Sequence, residues 1–578
     1  MENSHIHHES KRGFAERKGG MKTMPFIIAN ETFEKVASYG LQANMILYLM
    51  TEYNLNPVSA AKILFTWSAT SNFMPIIGAF VSDSYLGRFR VITLGSIATL
   101  LGMIILWLTA AIPNTRPPSC PTQKTCFLPS PSQIAILLTS FALMSIGTGG
   151  IRPCSLAFGA DQLAQSKSDP KTGRTLQRFF NWYYVSVGLS VMIAVTVIVY
   201  IQDVKGWIVG FGVPVILMAL STAFFTLGSP FYVKKEAQQS VFTGLFQVVA
   251  AAIKKRHQVL PIDNIDGMYY HRGSKLATPT QELRSLNKAC MITDPAKDLK
   301  PDGSAQNPWT LCTVQQVEDL KSLIKVFPIW STGITISIAM LQHGFPVLQA
   351  TAMDRHLGPN FQIPAGSFGV FSLLALTAWV AIYEPIIGRV LKKLTGKRPS
   401  NLFRLGAGLL ISTGSMAVAA LVESARLKEA HRTPEKKMSA LWLIPQHCLA
   451  GIAEALNFIG QIEFYYTECP KNMSSVGVAL LSLGMAVGNL LGDVVLTIVD
   501  GVSRNLSGVS WVPRDINKGH YDYYYWVLAI MSLVNFFYFL LCSWLYRYRK
   551  DFVVKGVDTK EYDEEILSKS RELPLPIR

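Results

Sequence analysis

Long apolar stretches separated by short polar segments recur along almost the whole of this 578-residue chain. Each is close to the roughly 20 residues that an α-helix needs to cross about 30 Å of hydrocarbon. The pattern predicts twelve transmembrane helices, numbered here in chain order as helix 1 to helix 12. Their predicted ranges are 24–50, 61–82, 89–111, 132–156, 180–201, 207–233, 320–342, 363–388, 402–422, 440–466, 474–499 and 522–546. The predicted fold class is an all-α membrane protein.

A polar interval divides these helices into two groups of six. The predicted divisions are an N-terminal cytoplasmic tail, a first six-helix bundle, a cytoplasmic linker, a second six-helix bundle and a C-terminal cytoplasmic tail: 1–23, 24–233, 234–319, 320–546 and 547–578. Two six-helix bundles that rock around a site near the membrane midplane are the arrangement of major-facilitator proteins. Within the linker, the apolar period from Val241 to Ile253 predicts a solvated helix, with a helix on the cytoplasmic leaflet as the alternative.

Composition agrees with a membrane protein, since 49% of the residues are hydrophobic and only 16% are charged. The net charge of +16 raises the possibility of nucleic-acid binding. The Lys and Arg residues, however, lie mainly in loops beside the predicted helices, as the positive-inside rule explains. We therefore expect the lipid bilayer and no nucleic acid as a partner. The charged segment around Glu423 and Arg426, predicted as an outer loop between helices 9 and 10, fits this topology least well.

The chain contains no Walker phosphate loop, no metal-binding His pair and no recognisable Ser/His/Asp arrangement. We therefore expect no metal, no cofactor and no enzymatic activity. An ATP-driven pump would lack its motor, so transport energy would come from an ion gradient. Among eight cysteines, Cys120 and Cys126 lie in a connection predicted to be extracytoplasmic, where they are either a disulfide or two free thiols.

Three charges interrupt the apolar pattern of helix 1: Glu31, Glu34 and Lys35. A charge at membrane depth costs roughly 2.5–3.5 kcal/mol on insertion scales, so it persists mainly where it faces a bundle interior or a water-filled path. Positions i, i+3 and i+4 share one face of a helix, and Glu31 precedes Lys35 in the favourable order for an ion pair. We expect this group to hold or pass a proton.

Each half contributes one further charge at membrane depth, Arg152 on helix 4 and Glu454 on helix 10. Matching positions in two pseudo-symmetric halves make a charge pair across the central cavity reasonable. Because Arg stays protonated in proteins, protonation of Glu454 would release Arg152 to hold an anion. A permanent bridge, or a side chain that snorkels to the interface, is the alternative.

Other polar groups in the helices are weaker candidates for functional residues. Tyr39, one turn after Lys35, extends the helix 1 stripe and could hydrogen-bond substrate. Glu463 and Glu468 lie near the cytoplasmic end of helix 10, where we expect them to meet cations. Glu384 and Asp493 have no partner at helical spacing and are expected to be structural or lining groups.

The segment from Gly78 to Arg90, between helices 2 and 3, combines turn glycines with one acid and two bases. Glycines allow close helix approach, and Asp83 could cap a helix or pair with Arg88 in one conformational state. An ordinary tight turn is the alternative. The order of residues nevertheless resembles the loop signature of major-facilitator proteins.

Several motifs occur together and in order along the chain. They are Glu31-x-x-Glu34-Lys35, the 78–90 loop, Gly149-Gly150-Ile151-Arg152, Phe158-Gly159-Ala160-Asp161-Gln162, Phe179-Phe180-Asn181-Trp182-Tyr183-Tyr184 and Gly460-Gln461-Ile462-Glu463-Phe464-Tyr465. This set resembles the plant nitrate/peptide transporter family, also called the proton-dependent oligopeptide transporter family. The starts of helices 1 and 7 are similar to its first subfamily.

The resemblance implies proton-coupled symport by alternating access. It assigns Glu31, Glu34 and Lys35 to proton coupling, and Arg152 and Glu454 to the family's central basic and acidic positions. Two departures matter. Lys35 stands where many members have Arg, and Met340 stands where a nitrate-contacting histidine has been described, with His343 about one turn later. Arg152 is our candidate for the missing anion donor.

From these points we expect a multi-pass carrier of a small anion, with nitrate favoured and protons as the co-substrate. A hormone, a dipeptide or another organic acid is the alternative substrate, and a ligand sensor or a channel is the alternative of another class. The plasma membrane is the expected location and the vacuolar membrane the alternative, while the oligomeric state is open.

Overall fold

The computed structural model describes residues 19–118, 127–163, 170–235, 241–260, 268–271, 278–340, 342, 344–396, 400–433, 435–468 and 474–571. Within the described residues, each predicted transmembrane segment lies mainly on helix. The predicted pairing of Cys120 with Cys126 lies outside the described residues, as do His343 and the side chains of Met340 and Glu384.

The first half begins with helix 1, which breaks at Asn44. Helix 2 starts behind an Asn56 cap, whose side chain accepts a hydrogen bond from the Ser59 amide, with Pro57 at the first helical position. The helices before the linker have these bounds: Met24–Ala43 and Met45–Thr51, Pro57–Val81 with Ser82–Leu86, Arg88–Ala111, Pro131–Leu163, Pro170–Ile193 with Ala194–Ile198, and Val199–Leu227.

Helices 5 and 6 form a hairpin that turns at Gly206. Its φ of 78° is non-helical, and a Cβ built on Gly210 would lie 2.9 Å from the Cα of Gln202. In one continuous helix those two residues would be about 12 Å apart at 1.5 Å per residue. The turn at Gly206 therefore separates helices 5 and 6, whose predicted ranges are nearly contiguous in the sequence.

The second half repeats the arrangement. Its helices have these bounds: Val314–Met340 and Gly344–Thr351 for helix 7, Ala365–Phe368 to Gly388–Thr395 for helix 8, Asn401–Arg432 for helix 9, Ala440–Leu443 to Gly460–Glu468 for helix 10, Ser474–Ser507 for helix 11, and Tyr521–Arg571 for helix 12.

Nine helical stretches within the described residues are long and apolar enough to cross a membrane. One of them, Gln177–Phe231, contains the helix 5 to helix 6 hairpin. Helices 1 and 10 are not among the nine, because polar residues interrupt both. Helix 1 carries three buried charges, and helix 10 carries Gln446, His447, Glu454 and Asn457. The all-helical membrane fold is confirmed, and the number of twelve crossings stays a prediction.

The sequence-based end of helix 9 at residue 422 is wrong. The helix runs on to Arg432 and carries Glu423 and Arg426, which were expected in an outer loop. Arg426 donates from Nε and Nη2 to the two carboxylate oxygens of Glu423 at 2.9 and 2.7 Å, and from Nη1 to the Asn517 side chain at 2.6 Å. This two-point pairing lets both charges be buried, so the helix does not need to end before them.

The linker forms a small structure of its own. Helix Val241–Lys254, which confirms the helix predicted there, packs with a 3-10 segment, Arg284–Cys290, and with the start of helix 7 around buried Val248 and Val317. Burial raises the pKa of the Cys290 and Cys312 thiols to about 12, so both stay protonated.

The two halves share one apolar core at the end of the molecule away from the linker. There Phe65 of helix 2, Ile338 of helix 7 and Leu496 of helix 11 belong to a single buried cluster. Tyr200 stacks on Phe361 across the halves, with ring centroids 6.4 Å apart. At the linker end, the buried clusters of the first and second halves are separate. Among the described residues the halves therefore share a buried apolar cluster on the far side, and none of the buried clusters joins them on the linker side, which is predicted to be cytoplasmic.

Glycines hold helix 4 close to helices 2 and 3. A Cβ on Gly78 would lie 1.8 Å from the carbonyl oxygen of Gly149, and one on Gly147 would lie 1.9 Å from the Thr99 hydroxyl. The predicted close approach at the start of the 78–90 loop is confirmed. Small residues allow such backbone proximity between membrane helices.

We predict that Gly78→Ala will destabilise the protein strongly, because its methyl group would overlap a backbone atom that cannot rotate away. Overpacking costs typically about 1–3 kcal/mol, and backbone overlap belongs at the upper end of that range. Thermal unfolding of the purified protein, followed by intrinsic fluorescence, measures the loss.

The matched control is Gly414→Ala on helix 9, where a Cβ would meet nothing within 4 Å. Equal melting temperatures for the two variants would contradict the packing described here.

Candidate functional site

The three charges of helix 1 form one buried cluster. Lys35 Nζ lies 3.1 Å from Glu31 Oε1 and 2.9 Å from Glu34 Oε2, so the predicted i,i+4 pair is confirmed. The side chains of Glu31, Glu34 and Lys35 are 2%, 0% and 9% exposed. An ammonium shared between two carboxylates compensates charge that would otherwise be too costly to bury.

Packing against helices 5 and 6 fixes the cluster. Ser221 on helix 6 donates to the Asn30 carbonyl at 2.8 Å, and Gln202 near the end of helix 5 donates to the Gly40 carbonyl at 2.9 Å. Gly40 has no room for a side chain, since a Cβ would lie 2.7 Å from Ile198. Helix 1 is thus held at two levels, with the charges between them.

Arg152 lies on helix 4 just beyond the glycine face described above. Pro153 follows it and cannot donate the backbone hydrogen bond that Gly149 would otherwise accept. The guanidinium interacts electrostatically with Glu34 and Lys35 of helix 1. No side chain or carbonyl within the described part of the chain accepts a hydrogen bond from it.

Glu454 is the last residue before the π-helical turn Ala455–Ile459 of helix 10. Turns of this kind inside α-helices are frequent at functional sites. The Asn457 side chain within the turn donates to the Ala453 carbonyl at 3.1 Å and fills the space beside Gly408, whose Cβ would lie 2.0 Å from Asn457 Nδ2. Helix 9 therefore supports the irregular segment that places Glu454.

Arg152 and Glu454 line one cavity between the halves. This first chamber has a volume of about 150 Å³, and Ser38, Tyr39 and Thr148 are also in its wall. Ser38 Oγ donates to Glu34 Oε1 at 2.8 Å. A hydrogen bond therefore connects the buried charge cluster to the chamber.

A second chamber of about 230 Å³ adjoins the first one. Tyr39, Gln42 and Glu454 border both. The second chamber lies mainly among helices 7 to 10, where its wall includes His447. His447 Nδ1 lies 3.3 Å from the Ser372 hydroxyl of helix 8.

The structure thus brings the six predicted site residues into two connected groups. Tyr39, Arg152 and Glu454 line the first chamber. Glu34 and Lys35 interact electrostatically with Arg152, and Glu31 contacts Lys35. Arg152 and Glu454 face the same cavity but are not joined by an ion pair within 4.0 Å, so a charge pair that closes the cavity stays a prediction. The aromatic residues that open helix 5 line neither chamber; Tyr183 lies beside Glu31, and Trp182 is 62% exposed. Sequence reasoning missed His447, because a single histidine in an apolar helix carries no distinguishing spacing.

The loop between helices 2 and 3 is held by charges. Arg88 contacts Asp83 at 3.6 Å, as predicted, and also Asp161 at the end of helix 4 at 2.6 Å. Lys235, at the start of the linker, reaches the same Asp161 at 2.7 Å. Gly87 has a φ of 76°, which suits glycine in this turn.

The second half has a counterpart to this loop. Arg404, near the start of helix 9, pairs with Glu463 of helix 10 and lies over the Tyr383 ring, 4.5 Å from its centroid. The expectation that Glu463 meets a cation is confirmed. Both ion-pair sets lie at the linker end of the molecule, where they can change partners when the halves move against each other.

The sequence profile of the POT family (PTR2) matches residues 89–512. The chain belongs to the POT family. It is 54% identical over 544 residues to Protein NRT1/PTR FAMILY 1.1 of Arabidopsis thaliana, with 92% of each chain covered. It is 50% identical over 568 residues to Protein NRT1/PTR FAMILY 1.2 of the same plant, with 95% of this chain and 93% of the relative covered.

The POT fold is also found in solved structures. The crystal structure of the POT family transporter PepTSo superimposes with a TM-score of 0.67, covering 91% of this chain and 98% of the other at 18% sequence identity. The resemblance to the nitrate/peptide transporter family is therefore confirmed, and the protein is a multi-pass integral membrane transporter.

We predict that Lys35→Met will destabilise this POT family member, because two buried carboxylates lose the ammonium between them. Breaking a buried pair by removing one partner costs about 3–5 kcal/mol. Thermal unfolding of the purified protein in detergent should show the loss.

Lys35→Arg is the matched control, because it keeps the positive charge and should retain most of the stability. A melting temperature for Lys35→Met equal to that of the wild type would show that the carboxylates do not depend on Lys35.

Proposed function

We propose that this transporter is a proton-coupled symporter of a monovalent anion, with Glu31, Glu34 and Lys35 as the proton-coupling residues. Arg152, Glu454 and Tyr39 would form the substrate site. The observation that carries the proposal is the Arg152 guanidinium, which lines the first chamber without an ion pair to Glu454 and within electrostatic reach of the helix 1 cluster. A planar guanidinium suits nitrate and carboxylate groups alike.

Charge balance supports the coupling. Three carboxylates, Glu31, Glu34 and Glu454, and two cations, Lys35 and Arg152, sum to −1 when all are ionised. A low-dielectric site disfavours net charge. One bound proton makes the site neutral, a second leaves it at +1, and a monovalent anion then restores neutrality.

In the proposed cycle both protons leave with the anion where the cavity opens to water, and the empty carrier returns with all three carboxylates ionised at −1. Two protons then accompany each monovalent anion, and each cycle carries one positive charge inward. The Ser38 bridge between Glu34 and the first chamber supports the idea that proton binding at helix 1 is felt at the anion site. The charge balance also argues against a channel, because a channel does not need paired charges. It argues against a sensor as well, because a sensor does not carry protons and anions across the membrane.

Nitrate is the substrate that the sequence favours, and it fits the first chamber alone. An organic anion is the rival. A proteoliposome assay with an imposed pH gradient and labelled candidate substrates tests these possibilities. A sensor would bind the tracer without accumulating it. A channel would take up the tracer independently of the proton gradient.

We expect Arg152→Gln to abolish uptake, because the neutral amide can still donate hydrogen bonds but lacks the charge that attracts the anion. Uptake of labelled nitrate into oocytes that express the protein provides the measurement. Arg504→Gln is the control, since Arg504 pairs with Asp500 on the surface and lines neither chamber. Uptake by Arg152→Gln at the wild-type level would refute the assignment.

We expect Glu34→Gln to remove the acid-stimulated inward current. Without this carboxylate the unloaded site sums to zero, so one proton balances one anion and the cycle moves no net charge. Two-electrode recording during a step to acidic pH gives the readout, with the exposed Glu435→Gln as control. An unchanged pH dependence of the current would contradict the role of Glu34.

A further inference from the structure

The end of helix 8 nearest the linker carries three cations, Arg389, Lys392 and Lys393. Helix 8 begins in the buried cluster at the far end, to which Phe368 belongs, so its last segment, Gly388–Thr395, lies at the predicted cytoplasmic end. The three side chains are exposed and, at positions i, i+3 and i+4, share one face of the helix. We call this surface the helix 8 basic face.

The helix 8 basic face has no counter-ion among the described side chains, since none of its three cations forms an ion pair there within 4.0 Å. Three other cations at this end of the molecule are paired. Arg88 and Lys235 share Asp161, and Arg404 pairs with Glu463. The helix 8 basic face is therefore a cluster of positive charge that is available to a partner outside the protein.

An exposed apolar stripe leads along helix 8 to the basic face. Its members recur at every fourth position: Leu374, Ala378, Ile382, Ile386, Val390 and Leu394. Side chains four residues apart are neighbours on a helix surface, so the stripe is continuous. It starts inside Ala365–Ile382, which is long and apolar enough to cross a membrane, and it ends with Leu394, which is 77% exposed. The lipid-facing surface of helix 8 therefore continues as far as the cations.

General rules that place cations at helix ends account for only part of this arrangement. The helix dipole favours Lys392 and Lys393 in the last turn, but its effect falls off within that turn, and Arg389 lies before it. The positive-inside rule explains why cations lie on the cytoplasmic side, but it does not require them to share a face or to lack counter-ions. A basic face beside an exposed apolar one is typical of a helix at the boundary between lipid headgroups and acyl chains.

We propose that the helix 8 basic face is a binding site for the headgroup of an anionic phospholipid in the cytoplasmic leaflet. The acyl chains of the lipid would lie along the apolar stripe, and its phosphate would meet the planar guanidinium of Arg389, which can bind it at two points. Lys392 and Lys393 add two point charges on flexible stems that extend to the level of the headgroup. The lipid would supply both the counter-ions and the apolar cover that this surface lacks.

The site adjoins charged contacts of the second half. A π-helical turn, Tyr383–Ile387, directly precedes the segment that carries the basic face, and the Arg404 guanidinium lies over the Tyr383 ring. Arg404 also pairs with Glu463 of helix 10. A bound headgroup would therefore hold the end of helix 8 at the membrane surface, next to an ion pair that joins helices 9 and 10.

The test compares two lipids on the purified full-length chain in detergent. Phosphatidylserine and phosphatidylcholine with the same acyl chains are titrated separately, and native mass spectrometry gives the dissociation constant of each. A cation at an anionic surface changes affinity by roughly a factor of five, so three amount to about a hundredfold. We expect the wild type to bind phosphatidylserine at least about tenfold more tightly than phosphatidylcholine. In the triple variant Arg389→Gln, Lys392→Gln, Lys393→Gln the preference should fall below about threefold.

The matched control removes three exposed cations from the far end of helix 9 and the loop after it, as Lys428→Gln, Arg432→Gln and Lys436→Gln. This variant changes the net charge by the same amount and should keep the wild-type preference. It therefore separates the proposed site from a general attraction of anionic lipid to a basic protein.

Two further variants separate loss of charge from damage to the helix end. Arg389→Lys combined with Lys392→Arg and Lys393→Arg keeps the three charges and should keep the preference for phosphatidylserine. Leu394→Gln should weaken both lipids by a similar factor, because it interrupts the apolar stripe and leaves the cations in place.

Four results would overturn the proposal: a wild-type ratio near one, the wild-type ratio retained in the triple glutamine variant of helix 8, an equal loss in the far-end control, or displacement of phosphatidylserine by an equal concentration of soluble glycerophosphoserine. The last result would show that the cations bind a free anion and that the apolar stripe takes no part.

Discussion

The rest of the site depends on the burial of Lys35 between Glu31 and Glu34. A lone carboxylate at this depth would be expelled or neutralised, and a lone ammonium likewise, but the three together can remain inside the membrane. Helices 5 and 6 hold helix 1, which carries these three charges, in place. Arg152 then lies close enough to interact electrostatically with them. The position of the proposed anion site therefore depends on an electrostatic constraint on another helix.

The halves contribute unequally. The first half holds four of the five charges, and the second adds Glu454 together with most of the apolar wall. Tyr39 and Gln42, which border both chambers, belong to the same helix as the charge cluster. Under the proposed function, a change of protonation in helix 1 would therefore act directly on the boundary between the polar and apolar parts of the cavity.

Sequence reasoning succeeded where the relevant distance is set within one helix. The contact of Glu31 with Lys35 follows from 3.6 residues per turn, and the depth of Arg152 and Glu454 follows from hydropathy. It fell short where tertiary contacts decide. The bidentate partner that buries Arg426 could be found only by knowing that helix 9 continues, and the separation of Arg152 from Glu454 depends on how the two halves pack together. His447 could be recognised as a cavity-lining residue only after the structure had shown the cavity.

The apolar core shared by the halves at the far end has a thermodynamic consequence. Separating Phe65, Ile338 and Leu496 to open that side would expose apolar surface to water and so carry a positive heat-capacity change. Apolar association weakens on cooling, because its driving force near room temperature is entropic. Cooling would therefore weaken this apolar contact between the halves. The temperature dependence of the turnover rate would then give a curved rather than a straight Arrhenius plot.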